Sequence, residues 1–73
     1  MDYIDRMVAV RTDADDTQRS LGKELGISYS QWAAYERRAH ELPIRYLVKF
    51  CKHYGVSADY ILGLGRDMRW PRE

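Results

Sequence analysis

Cys51-Lys52-His53 sets a thiol and an imidazole two residues apart, residue types that bind metals or drive nucleophilic chemistry. On a helix that spacing turns the two side chains in different directions, because neighbours on one face stand three or four residues apart. His40 is the one other histidine, and there is no second cysteine. A closed zinc site needs four converging ligands, so no metal is expected. A Ser-His-Asp set is possible by composition, yet no nucleophile-elbow sequence accompanies it, and the glycines form no phosphate-cradling loop. The expectation is therefore no enzyme, no cofactor and no small-molecule ligand.

What remains is charge and hydrogen bonding. Twelve Lys and Arg nearly balance eleven Asp and Glu, but their distribution is uneven. Asp2, Asp5, Asp13, Asp15, Asp16 and Glu24 outnumber Arg6, Arg11, Arg19 and Lys23 up to Gly26. From Arg37 to Lys52 the bases Arg37, Arg38, Arg45, Lys49 and Lys52 face a single acid, Glu41. Such a local basic patch permits a polyanionic partner. The same charges on a solvated helix face would need none.

The 73 residues make one small domain with a modest core. Apolar residues are spread along the chain, as in a globular rather than a disordered sequence. No apolar run approaches the roughly 18 residues of a membrane span, and the N-terminus lacks a signal-like block. Cys51 alone cannot form an internal disulfide, which suits a buried thiol in a reducing cytoplasm.

The elements that would position these groups are all helical. Tyr3, Met7, Val10 and Ala14 recur at helical spacing, and "TDADD" ends that helix near Thr12. Thr17 caps a second helix with Leu21 and Leu25 on one face, which stops at Gly26. "SYSQ" from Ser28 is a capping box in which Gln31 reaches back to the Ser28 amide. It opens a third helix from about Tyr29 to about Arg37 that buries Trp32 and Tyr35. Pro43 suits the first turn of a fourth helix, with Ile44, Leu47, Val48 and Cys51 in period and Phe50 and Tyr54 widening the stripe. Gly55 ends it. Ser57 caps a fifth helix, with Asp59 in its first turn and Ile61 and Leu62 pointing inward. The tail "GLGRDMRWPRE" has no period and is expected to be loosely ordered. The fold class is thus all-α, with a domain over residues 1–64 and a short tail over 65–73.

The most specific feature is the spacing from Gln18 to Arg37. Two short helices that cross steeply need a small residue at the crossing, a turn residue and a wedge between them. Gly22, Gly26, and Leu25 with Ile27 meet those needs, and Trp32 and Tyr35 supply the buried face of the second helix.

"TQRSLGKELGISYSQWAAYERR" with "ELPIRYLVKFCKHYGVSADYILGL" resembles the Cro/phage-repressor (XRE-type) helix-turn-helix family over about residues 3–64. The resemblance implies a compact five-helix, lambda-repressor-like DNA-binding domain, usually dimeric and mostly serving as a transcriptional repressor or regulator. It implies that Gln18 touches a phosphate and that Ser28, Tyr29, Ser30, Gln31 and Ala34 face the bases. It places Arg37, Arg38 and His40 in a loop along the phosphate backbone, and the basic patch adds Arg45 as a further expected phosphate contact. Arg11 and Glu36 match a salt bridge that fixes the angle of helix 3. The implied partners are an inverted-repeat duplex and a second copy of the chain, with no membrane. What remains of the chain holds no effector domain, so any regulation is expected from concentration, another protein or proteolysis.

Ala34 departs from the family, which usually carries Arg, Gln or Asn there. A methyl group suits only a thymine methyl, whereas a bidentate contact is worth ~1–3 kcal/mol of discrimination. Weak base discrimination is expected in consequence. The rival expectation is an antitoxin-like or regulator-sequestering interaction module. Ala33-Ala34, the acidic first third and Trp70 in the tail favour it.

Overall fold

The computed structural model describes residues 1–66 and Met68. Five helices follow one another: α1 Tyr3–Asp13, α2 Gln18–Leu25, α3 Tyr29–Glu36, α4 Ile44–Tyr54 and α5 Ala58–Leu62. The chain is all-α in the order expected.

Each helix start has a local cause. Asp2 caps α1 by accepting from the Asp5 amide at 3.0 Å, while Asp5 accepts from the Asp2 amide at 3.2 Å. This reciprocal box is absent from the sequence reading, which began α1 from its apolar stripe alone. Thr17 and Ser20 form the same arrangement for α2. Ser28 accepts from the Gln31 amide at 3.1 Å. The expected return bond, from the Ser28 N–H to the Gln31 side-chain oxygen, does not form; the Gln31 side chain lies along the helix and its NH2 donates to the Tyr35 hydroxyl one turn on, at 2.9 Å. Pro43 lies at the N-cap of α4 rather than within its first turn. Ser57 caps α5.

The α2–α3 turn depends on two glycines. Gly26 adopts φ +77°, a left-handed conformation that costs other residues free energy. A Cβ on Gly22 would stand 3.1 Å from the Ile27 carbonyl oxygen and 3.4 Å from that of Ser28. Gly22 is thus small because the start of α3 passes against it.

The core gathers Ile4, Met7, Leu21, Leu25, Trp32, Tyr35, Phe50, Cys51, Val56 and Ile61. Trp32 and Phe50 stack with ring centroids 5.9 Å apart, and Tyr35 meets Trp32 edge-on at 6.0 Å. Each large side chain so buried contributes ~1.5–3 kcal/mol. Burial also pushes the Cys51 thiol pKa up, keeping it a neutral core group.

Four apolar residues depart from the sequence reading. Ala14 is exposed because it caps the end of α1 instead of continuing its stripe. Ile44 is 77% exposed and Val48 43%; Phe50 and Cys51 carry the buried face of α4 instead. Leu62 is 43% exposed beside the fully buried Ile61. Trp70 lies outside the described residues. Among the described residues, no helix is long and apolar enough to cross a membrane.

Candidate nucleic-acid interface

Helix α3 divides along its length. Ser28, Tyr29, Ser30 and Gln31 are exposed, whereas Trp32, Ala34, Tyr35 and Glu36 are buried. The division follows from a polar, capped first turn and an aromatic second half that must pack on α4.

Glu36 anchors the buried half. Arg11 on α1 grips both carboxylate oxygens, Nε at 2.7 Å and Nη2 at 2.9 Å. The Trp32 indole N–H donates at 2.7 Å and the Gln18 amide at 2.8 Å. A third Arg11 nitrogen, Nη1, donates to the Asp16 carbonyl at 2.8 Å. Arg11 and Glu36, the pair implied by the resemblance, therefore meet, and α1, α2 and α3 converge on one carboxylate. Burial raises the Glu36 pKa, but the bonds from Arg11, Gln18 and Trp32 outweigh it, so the group stays below its usual value. Each of these donors favours the charged form.

Gln18 is less free than expected. One amide hydrogen is committed to Glu36, leaving the second hydrogen and a backbone N–H in the first turn of α2 for another acceptor. Arg19, its neighbour, lies with its guanidinium carbon 4.7 Å from the Tyr29 ring centroid. Thr17, Gln18, Arg19 and Tyr29 line an open cleft of about 340 Å³.

After α3 the expected phosphate residues separate. Arg37 and His40 are exposed, and neither forms an ion pair among the described residues. Arg45 is exposed on α4, its guanidinium 4.8 Å from the Tyr46 ring centroid. Arg38 is engaged within the chain. Its Nη2 lies 2.7 Å from Asp2 and 2.9 Å from Asp5, and Nε adds a bond to Asp2 at 3.1 Å. The two carboxylates of the α1 cap thus occupy it, and its φ of +66° directs the chain away from α3. The hydrogen bonds from Arg38 hold the Asp2 carboxyl far below its usual range. Ala34 is turned inward. At 6% exposure it offers almost no surface to a thymine methyl, because the second half of α3 is packed inward.

Arg19 escaped the sequence reading because nothing in a single sequence reports its stack on Tyr29, ten positions on. The Trp32–Glu36 bond had a signal, an N–H donor and a carboxylate one helical turn apart. Among the described residues, no group of three or more His, Cys, Asp or Glu side chains converges as metal ligands would.

Comparison with known proteins places this geometry. The helix-turn-helix family model matches residues 9–61, from within α1 to near the end of α5. A curated relative from Bacillus subtilis (strain 168), "Uncharacterized HTH-type transcriptional regulator YobD", is 35% identical over 65 residues. The aligned stretch is 89% of this chain and 58% of that protein, so the chain spans a little over half the length of its relative. No solved structure matches. With the crossing at Gly22, the turn at Gly26 and the Arg11–Glu36 pair inside the matched region, the chain belongs to the XRE-type helix-turn-helix family.

Proposed function

We propose that the protein is a sequence-specific DNA-binding regulator of transcription, acting as a repressor in the cytoplasm. The observation that carries this reading is the division of α3. A helix held rigidly by its buried end presents a polar first turn to solvent, which is the arrangement that major-groove insertion requires. Ser30 and Gln31 supply hydrogen bonds to base edges, and Ser28 and Tyr29 border them. Gln31 keeps its amide oxygen and one N–H for a base while bonded to Tyr35. Gln18, Arg37, His40 and Arg45 serve the phosphates. Residues 1–64 form the binding domain.

Two copies on an inverted repeat, with half-sites about one helical turn apart, complete the assembly. Exposed Ile44 and Val48 on α4, and Leu62 and Leu64 at the end of α5, support a subunit interface because apolar surface gains from being covered. With Ala34 inside, base discrimination rests on few side chains, and half-site spacing and DNA shape carry the remainder.

The test is fluorescence anisotropy of a labelled duplex titrated with protein at rising salt. Binding that weakens by orders of magnitude supports phosphate contact, since released counterions set the slope. A folded protein that binds no duplex at low salt would favour the interaction module instead.

A further inference from the structure

We propose that Arg19 is a phosphate-binding residue and that Tyr29 serves it as a platform. This rests on the reading of α3 as the groove-facing helix, and it assigns roles that the family resemblance leaves blank for Arg19 and gives differently for Tyr29.

The Arg19 guanidinium stands 4.7 Å from the Tyr29 ring centroid, within range of a cation–π contact. No ion pair or side-chain hydrogen bond engages Arg19 among the described residues. Contrast Arg38, whose nitrogens are filled by Asp2 and Asp5, and Arg11, filled by Glu36 and Asp16. A cation–π contact uses no hydrogen-bond acceptor, so the Arg19 N–H groups stay available as the fork that matches two oxygens of a phosphate.

The location selects phosphate over base. Arg19 belongs to α2 and adjoins Gln18, and the two share a cleft with Thr17 and Tyr29. Gln18 is fixed from below by Glu36. With α3 in the groove, α2 lies over the backbone strand beside it, so a side chain at this cleft meets sugar and phosphate before any base edge. Tyr29 is 40% exposed, with one ring face toward Arg19. Its part is to hold a long, flexible side chain in one place, which lowers the ordering cost of the contact.

The experiment is the salt dependence of duplex binding for single and double variants, with folding of each checked by circular dichroism. Arg19→Ala should lower the slope of log affinity against log salt by about one and weaken binding on all sequences alike. Tyr29→Phe keeps the ring face and should retain the salt slope that Tyr29→Ala loses. Tyr29→Ala should reproduce much of the Arg19→Ala loss, and the double variant should lose little beyond Arg19→Ala. An unchanged slope for Arg19→Ala, while the unsubstituted chain binds strongly, overturns the Arg19 assignment and leaves the DNA-binding reading intact. A changed preference at one base pair with the slope retained would make Arg19 a guanine reader and overturn it equally. Additive losses, or a base preference altered by Tyr29→Phe, would remove the platform role. Absence of duplex binding by the unsubstituted chain overturns both readings together.

Discussion

The Trp32 indole N–H donates to the Glu36 carboxylate one turn further along α3, at 2.7 Å. The largest core side chain thereby supports the most deeply placed charge, and packing and electrostatics are joined at one atom. Removing that donor alone should be measurable. Trp32→Phe keeps an aromatic ring against Phe50 but leaves one bond to Glu36 unmade. Hydrogen bonds to charged groups are worth about 1.5–3 kcal/mol, and a loss at the upper end, measured by urea denaturation, is expected because the smaller ring also leaves space. A loss well under 1 kcal/mol would show that the bond contributes little.

Glu36→Ala strands the guanidinium of Arg11, a residue 9% exposed, without its carboxylate partner. Breaking a buried pair from one side costs about 3–5 kcal/mol, a large share of the ~5–15 kcal/mol that holds a domain together. The variant should melt far below the parent or fail to fold at 37 °C. Thermal denaturation followed by circular dichroism decides it.

The same carboxylate sets an acid limb. Its pKa is lowered in the folded state. A depressed carboxyl contributes stability above its unfolded value of about 4.3 and loses that contribution as pH falls through the folded value. Urea midpoints should therefore decline from about pH 4.5 downward. Asp2, also depressed, acts with the same sign, so the diagnostic is a comparison. Glu36→Gln, weaker at neutral pH, should show the shallower acid decline; parallel declines would assign the limb to other carboxyls.

Gly22→Ala tests the helix crossing. Helix propensity favours Ala by ~1 kcal/mol, but the added methyl would press on two backbone carbonyls at 3.1 and 3.4 Å. Backbone yields less readily than a side chain, so a net loss of about 1 kcal/mol is expected, or a melting temperature lower by about 4–8 °C. A rise would mean that the turn relaxes freely.

Arg37 and Arg38 are adjacent in sequence and should separate in function. Arg37→Ala should lower the salt slope of DNA binding by about one. Arg38→Ala should leave the slope unchanged and instead loosen the start of α1, seen as faster amide exchange there. Equal slopes lost by both would return Arg38 to the phosphates.

The sequence made the helix order legible because Thr17, Ser28, Ser57 and the glycines act locally, within a turn of where they stand. The turn between α2 and α3 was legible for the same reason. The side assigned to a helix was less so. Ile44 and Val48 share a helical period with Cys51, yet only a tertiary neighbour decides which edge of a broad stripe is covered. Least visible was Arg38, whose partners lie 36 and 33 residues away and are exposed carboxylates with no pattern of their own. At the candidate site, the exposed first turn from Ser28 to Gln31 was legible from its cap and polar residues, while the burial of Ala34 was not, because it follows from Trp32 and Tyr35 reaching the core.

The division of α3 also bears on how the protein can change. Nothing that fixes the helix axis depends on Tyr29 or Ser30, and Ser28 contributes a single cap bond that Thr, Asp or Asn could replace. Residues 28–30 therefore form an exchangeable surface on a buried mount, to which Gln31 is tied through the Tyr35 hydroxyl. On the proposed DNA-binding reading, changes at these three positions would alter operator preference with the fold left in place, whereas a single change at Trp32 or Glu36 would disturb the mount itself.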